Sequence, residues 1–165
     1  MSSISITIPG EPVAKGRARA FIRHGHIGHY TPEKTARYES LVKLAALQAM
    51  TGQAPIEGPV LLIIRAFMTI PVSWSKKKQL AAYSGEVAHT KRPDLDNILK
   101  SIKDGLNQVV WKDDAQVIAV CASKSYGTPR VEVEINRLTT DTLTARGLQL
   151  YETDCCNQRP GSKNR

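Results

Sequence analysis

Two aspartates stand one residue apart in the stretch RPDLDN, and two adjacent aspartates follow in WKDDAQ. Asp94 and Asp96 belong to the first stretch, and Asp113 and Asp114 belong to the second. Neighbouring carboxylates repel each other unless a proton or a cation lies between them. A hard divalent ion such as Mg²⁺ prefers a few carboxylates together with water and substrate phosphate. The first pair therefore indicates a metal site suited to phosphodiester chemistry.

Local structure offers a second explanation for the same acids. Asp96 could cap a helix, Asp94 could pair with Arg92, and Asp113 and Asp114 could be turn residues. A bound cation has a different consequence, because it would turn an acidic pocket into a site that attracts a phosphodiester, activates water and stabilises the leaving oxygen. The spacing of the acids is compatible with both explanations.

Two polar residues follow the first pair of acids closely. Lys100 lies four residues after Asp96, and therefore on the same face of a helix. It could form a salt bridge with Asp96, or it could offset the charge that builds on a phosphate in the transition state. Asn97 could cap the helix, or it could orient a metal-bound water or a carboxylate.

The charge balance of the chain indicates a polyanionic partner. The 165 residues carry a formal net charge of +8 and an isoelectric point of about 9.6, which favours nucleic acid or an anionic membrane surface. The membrane is the weaker choice, because no apolar run approaches the ~20 residues of a spanning helix and the N-terminus lacks the pattern of a signal peptide. We therefore expect a soluble, cytoplasmic protein.

The candidate nucleic-acid contacts are the basic residues of three segments, namely KGRARAFIR, the lysine run in SWSKKK and the pair that precedes the first acids. They are Lys15, Arg17, Arg19, Arg23, Lys76, Lys77, Lys78, Lys91 and Arg92. A solvated surface is the ordinary explanation for a lysine run, and contact with phosphates is the alternative. His24, His26 and His29 follow no metal-ligand spacing, so we expect solvated loop residues there.

The hydrophobic pattern predicts an α/β fold with a small mixed β-sheet and helices packed against it, in a single domain over residues 1–138. Residues 139–165 are polar and are expected to form a loose tail. Thr31 is expected to cap the first long helix, and Ser73 or Ser75 the short helix after it. The predicted elements are a strand over 4–8, a basic loop or irregular hairpin over 15–30, a helix over 33–50, a strand over 60–70, a short helix ending near 83, a helix over 97–108 and two closing strands that form a hairpin around 127–129.

The three cysteines give no indication of a structural metal. Cys121, Cys155 and Cys156 are odd in number, and the adjacent pair has neither metal-ligand spacing nor a companion cluster. We expect reduced thiols.

The two acidic stretches also resemble a known family. RPDLDNILKSIKDGL followed by VWKDDAQV is similar to the signature of the RusA-type Holliday-junction resolvases, and IPGEPVAKGRARA and SWSKKK resemble the phage and prophage versions. The similarity spans roughly residues 4–136. It implies a symmetric homodimeric endonuclease of DNA recombination and repair that depends on Mg²⁺, with Mn²⁺ as an alternative ion, and that nicks four-way DNA junctions symmetrically.

The resemblance also implies roles for single residues. Asp94, Asp96 and Asp114 match the metal-binding catalytic carboxylates of the family, and Lys100 matches its catalytic lysine. Asp113 matches an acid whose role is less certain.

Two other functions remain compatible with the same features. A non-catalytic dimeric DNA-binding protein would have the same charge, with its aspartates serving as caps. A metal-dependent nuclease for flaps or RNA would have the same site and a different substrate. Dependence on a divalent ion separates the first from an enzyme, and a panel of nucleic acids separates the second from a resolvase.

Overall fold

The computed structural model describes residues 3–23 and 26–138. The predicted tail over 139–165, the two cysteines in it and His24 lie outside these residues. None of the helices in the described ranges is long and apolar enough to cross a bilayer. The elements are β1 (Ser3–Pro9), β2 (Arg19–Arg23), β3 (His26–Tyr30), α1 (Glu33–Ala49), β4 (Val60–Met68), α2 (Lys76–Tyr83), α3 (Leu95–Leu106), a 3₁₀ turn (Asp114–Gln116), β5 (Val117–Tyr126) and β6 (Arg130–Arg137).

Four strands form a mixed sheet in the order β1-β6-β4-β5. The β6 strand runs antiparallel to both β1 and β4, whereas β4 and β5 run parallel. The β4 strand is buried along almost its whole length, as expected for an apolar strand with neighbours on both sides. The predicted mixed α/β fold and the predicted central strand are therefore confirmed.

The predicted hairpin of the two closing strands is wrong, because β4 lies between β5 and β6. The short link over 127–129 passes across the end of β4, where the Gly127 N–H donates to the Met68 carbonyl at 2.9 Å. An apolar strand such as β4 is stabilised by having a neighbour on each side. The short link and the alternating pattern of β6 did not reveal that a third strand is inserted.

Helices α1 and α3 pack against each other and against the sheet, α1 on β1 and α3 on β5. The close approach of the two helices depends on Gly105, where an added Cβ would lie 2.7 Å from Val42 Cβ. The α3 helix buries Ile98, Ile102 and Leu106 in this core. The predicted second long helix is thus confirmed, two residues earlier than the pattern indicated.

The starts of the other two helices differ in how well they were predicted. The α1 helix begins at Glu33, and Pro32 rather than Thr31 occupies the N-cap position. The α2 helix begins at Lys76, and the Ser75 side chain accepts a hydrogen bond from the Lys78 N–H at 3.4 Å. Ser75, one of the two serines predicted as alternatives, is therefore the N-cap of α2.

The second face of the sheet carries a smaller apolar cluster of Leu61, Ile63 and Leu138, with Cys121 packed beside it. Cys121 is disulfide-bonded, so the expectation of reduced thiols is wrong for this residue. The basic stretch before α1 forms a separate two-stranded sheet of β2 and β3, which confirms the hairpin alternative for that stretch.

Candidate active site

Asp94 and Asp96 lie at the start of α3, both exposed to solvent. Asp94 occupies the N-cap position, but its side chain makes no capping hydrogen bond. The one hydrogen bond to Asp96 is long, 3.5 Å from Asn97 Nδ2 to its Oδ1. Within the described residues neither carboxylate takes part in an ion pair. Both carboxylates are therefore available to a ligand, next to the positive end of a helix dipole.

Arg92 and Lys100 flank the pair without neutralising it. Both are exposed, and neither forms an ion pair with any residue that the structure describes. The structure therefore shows neither the Asp94–Arg92 pair nor the Asp96–Lys100 salt bridge that the sequence allowed.

Asp113 caps a turn, which is the kind of local structural role that the sequence allowed for all four acids. Its side chain accepts a hydrogen bond from the Ala115 N–H at 2.7 Å, and its own N–H donates to Gln116 Oε1 at 3.1 Å. This reciprocal pair is a capping box at the start of the 3₁₀ turn. The capping interpretation describes Asp113 well.

Asp114 is engaged with groups near the other end of α3. Its Oδ1 accepts a hydrogen bond from the Trp111 indole N–H at 2.9 Å, and its Oδ2 lies 3.7 Å from Lys103 Nζ. Trp111 is fully buried, so Asp114 provides the partner that a buried indole N–H requires. A helix the length of α3 spans about 18 Å, and Asp94 lies at its opposite end.

The acids that the structure describes do not come together as a three-carboxylate site within one chain. In the residues that the structure describes, no group of three or more His, Cys, Asp or Glu side chains lies close enough to hold a metal ion. Asp94 and Asp96 nevertheless suit Mg²⁺ by their chemistry, because this ion is usually bound by one or two carboxylates plus water and substrate phosphate. Asp114 does not join them within one chain.

Lys124 on β5 holds the loop that carries the acid pair, and sequence reasoning missed it. Its ammonium donates to the carbonyl oxygens of Lys91 and Pro93, both at 2.8 Å. Asp94 follows Pro93 directly, so this clamp fixes the backbone from which the pair projects. Burial, together with the charge of Lys124, lowers the pKa of the neighbouring His89. The available signal was a single charged residue in the otherwise uncharged strand β5.

Two of the basic residues that the sequence predicted to contact DNA lie near the ring of Trp74. The Lys78 ammonium lies 4.1 Å from the centroid of the Trp74 ring, and that of Lys91 lies 6.0 Å from it. The Trp74 ring in turn meets Tyr126 edge-on, with centroids 5.1 Å apart. The cluster positions two cations beside the loop of the acid pair.

Lys15 has a structural role rather than a free ammonium group. Its Nζ pairs with Glu39 at 2.5 Å and with Asp104 at 2.8 Å, and its side chain is only 22% exposed. Burial disfavours its charge, but hydrogen bonds and Coulombic attraction from Asp104 and Glu39 outweigh that effect and raise the pKa of Lys15. The lysine therefore ties the segment before β2 to α1 and α3.

The other basic residues of the hairpin region and of α2 are placed differently. Arg17 is exposed just before β2, and Arg19 and Arg23 lie on that strand. Lys76 and Lys77 are exposed in the first turn of α2. Cations at a helix N-terminus are disfavoured by the helix dipole, so a bound anion there would relieve an unfavourable arrangement.

Comparison with known proteins places this geometry in a family. The family model for endodeoxyribonuclease RusA matches residues 9–136. The chain belongs to the RusA endodeoxyribonuclease family. The match includes α3 with Asp94 and Asp96, the 3₁₀ turn with Asp114, and Lys124. The resemblance noted in the sequence is therefore confirmed, and with it the assignment to a family of DNA endonucleases of the Holliday-junction resolvase type.

A relative in Bacillus subtilis (strain 168) aligns with most of this chain. The uncharacterized protein YqaN is 40% identical to this chain over 141 residues, which is 84% of this chain and 99% of the relative. The similarity thus extends over nearly the whole of that protein.

Proposed function

We propose that this protein is a Mg²⁺-dependent endonuclease that resolves four-way DNA junctions by symmetric paired nicking. The observation that carries the proposal is the exposed pair Asp94 and Asp96, which has neither a capping hydrogen bond nor an ion pair within the described residues. Carboxylates that make neither a capping hydrogen bond nor an ion pair, on a basic RusA-family domain, are the expected ligands of a catalytic cation.

The residues at and after the N-cap of α3 would have different roles at this site. Asp94 and Asp96 would hold the ion, which when bound would supply water activation and electrostatic stabilisation of the leaving oxygen. Asn97 Nδ2 lies 3.5 Å from Asp96 Oδ1 and restrains that carboxylate. Lys100 follows one helical turn later and would offset the negative charge that builds on the phosphate.

We expect Lys124→Met to weaken Mg²⁺ binding about tenfold, because loss of a group that orients metal ligands typically costs 10–100-fold in affinity. Methionine keeps the aliphatic stem and loses only the donor to Lys91 and Pro93. The measurement is nicking rate against Mg²⁺ concentration, with the melting temperature measured in parallel. Lys112→Met, at an exposed surface pair with Glu57, is the control. An unchanged Mg²⁺ half-saturation in Lys124→Met contradicts the clamp.

The positive surface beside the acid pair is proposed to bind the DNA backbone. Its exposed cations are Arg17, Lys76, Lys77, Lys78, Lys91 and Arg92. Arg19 and Arg23, which lie on β2, remain proposed DNA contacts. Lys15 is left out, because its ammonium is already paired twice.

Neutralising Arg17 is expected to weaken junction binding and to make its salt dependence shallower by about one unit, the effect of one lost phosphate contact. The measurement is junction affinity in chelator at several salt concentrations for Arg17→Gln. Lys43→Gln, a neutralised exposed residue in the middle of α1, is the control and should keep the wild-type slope. If the salt dependence of junction affinity is the same for both variants, Arg17 does not contact the DNA phosphates.

We further propose a symmetric homodimer, since a four-way junction presents two equivalent strands and two-fold symmetry gives each its own site. Asp114 does not meet Asp94 and Asp96 within one chain. If all three carboxylates serve one ion, the third is the partner subunit's Asp114.

Mixing two inactive variants tests this arrangement. Asp96→Asn and Asp114→Asn are each expected to be inactive, and a heterodimer of the two retains one complete site if that site combines residues of both subunits. We therefore expect the mixture to recover nicking of one strand per junction. A mixture of Asp94→Asn with Asp96→Asn is the control and should stay inactive. Failure of the first mixture, with both variants folded and dimeric, shows that Asp114 does not act across the dimer.

A panel of nucleic acids tests the substrate. The same sequence is presented as a four-way junction, a flap, a linear duplex and the corresponding RNA, each with Mg²⁺ and with chelator. We expect paired cuts at symmetric positions of the junction and little cutting of the others. Preferential cutting of the flap or of RNA would show that the protein is a nuclease with a different substrate. Binding without any cutting would show that it is a non-catalytic DNA-binding protein.

A further inference from the structure

A cleft of about 680 Å³ opens beside the acid pair. Its walls are the segment over 11–18, which we call the strap, and the first turn of α1. Val13, Ala14, Met68 and Pro93 supply apolar lining. The volume lies within the range of roughly 300–1,000 Å³ that is typical of sites for small ligands. Because Pro93 precedes Asp94, an occupant of the cleft lies next to the proposed metal ligands.

The charged residues of the cleft favour an anionic occupant. Arg17 and Lys34 line it, both exposed, and neither forms an ion pair with a described residue. An apolar lining with two cations matches the chemistry of a nucleotide, which has an apolar base face and a phosphate on each side. A neutral metabolite would leave both cations unused.

Glu11 adds a directional group to this site. Its carboxylate accepts hydrogen bonds from the Thr69 hydroxyl and from the Thr69 N–H, the latter at 3.2 Å to Oε2 and 3.4 Å to Oε1. The hydroxyl bond engages Oε2, so Oε1 keeps capacity to accept a further hydrogen bond. Amino groups on nucleobases are suitable donors for a carboxylate, as in the pairing of Glu with the N4 amino group of cytosine.

The strap is held in place by bonds to both long helices. The Ser101 hydroxyl donates to the Val13 carbonyl at 2.6 Å, and the Lys15 N–H donates to the Asn97 carbonyl at 2.8 Å. The Gly16 N–H donates to Thr35 Oγ1 at 3.1 Å. The cleft is thus preformed and anchored to the helix that carries the acids, which reduces the ordering cost of binding.

We propose that this cleft takes one unstacked nucleotide next to the scissile phosphate, and that Glu11 accepts a hydrogen bond from an amino group on its base. The inference rests on the proposed nuclease function and deepens it, because it assigns a base-reading element to the same site. Thymine lacks an exocyclic amino group, so it is the base that the cleft should accept least well.

The first test measures base unstacking without catalysis. Junctions carry 2-aminopurine at one or the other of the two nucleotides that flank the branch point on one strand, and fluorescence is recorded as wild-type protein is added in chelator. We expect a rise at one of the two positions, reduced several-fold in Ala14→Leu, which fills the cleft. Ala18→Leu at the exposed part of the lining serves the same purpose if the first variant lowers the melting temperature. No rise at either position overturns the proposal.

The second test measures discrimination during cutting. Four junctions differ only in the base at the responsive position, and their nicking rates are compared for wild type and Glu11→Gln. We expect wild type to cut the thymine junction about tenfold more slowly, a penalty in the range expected for loss of one base contact, and Glu11→Gln to reduce the difference to under about threefold. Glu86→Gln is the matched control, an exposed carboxylate that also accepts from a hydroxyl, that of Ser84 at 3.0 Å. An unchanged base profile in Glu11→Gln overturns the role of Glu11.

The two tests separate this inference from the proposed function. If wild type cuts junctions and no 2-aminopurine signal appears, the cleft proposal fails and the nuclease stands. If wild type cuts nothing in Mg²⁺ and the signal rises, the nuclease proposal fails and the cleft is still a nucleotide site.

Discussion

Asp96→Asn is expected to lower junction nicking by on the order of 10²–10³-fold or more, the cost of removing one key electrostatic contact at a reacting centre. The folded protein should persist, because Asp96 makes one long contact to Asn97 and its favourable interaction with the helix dipole is worth under about 1 kcal/mol. Metal-free junction binding should stay equal or tighten, since the substitution removes a negative charge from a site that repels DNA when empty. The measurements are thermal melting, junction affinity in chelator and nicking across a Mg²⁺ titration.

Asp113→Asn is the matched control for this prediction. Asp113 caps the 3₁₀ turn through its side chain, and asparagine caps about as well as aspartate. We therefore expect it to keep wild-type stability and cutting. Wild-type nicking rates in both single variants, Asp94→Asn and Asp96→Asn, would falsify the assignment of these carboxylates to a metal site.

Lys100→Ala is expected to have the second-largest effect, a nicking rate lower by on the order of 10²-fold at saturating Mg²⁺, because the charge building on the phosphate loses its cation. Mg²⁺ affinity, junction affinity and melting temperature should change little, since Lys100 forms no ion pair with a described residue. A single-turnover assay separates the rate from binding.

Lys112→Ala is the control for Lys100, because it also removes an exposed lysine. Lys112 pairs with Glu57 at the surface, and solvent-exposed pairs of this kind contribute little to stability. Its nicking rate should stay at the wild-type value. If Lys100→Ala cuts as fast as Lys112→Ala, Lys100 has no part in the chemistry.

The sequence predicted the elements of this protein better than their arrangement. The helical spacing of Ile98, Ile102 and Leu106 identified α3, because burial on one face leaves a periodic pattern. The apolar run from Val60 identified the central strand, because burial on both faces leaves a continuous apolar run. Which strand lies beside which depends on contacts between distant residues. The insertion of β4 between β5 and β6 therefore left no local signal in the short link over 127–129.

The same limit applies to the candidate site. The pairing of Asp94 with Asp96 was visible, because both acids lie in one short stretch. Lys15 looked like a phosphate contact, and the structure pairs it with Glu39 and Asp104 from two other elements. The sequence shows the charge of a lysine, but its partners are set by the fold.

Nicking of a synthetic four-way junction, end-labelled on each strand, by wild-type protein in Mg²⁺ and in chelator tests the proposed function most directly. We expect paired incisions at symmetry-related positions in Mg²⁺ and an intact, protein-bound junction in chelator. Equal cutting in both conditions, or an intact junction in Mg²⁺ under conditions where the protein binds it, would show that the protein is not a Mg²⁺-dependent junction nuclease.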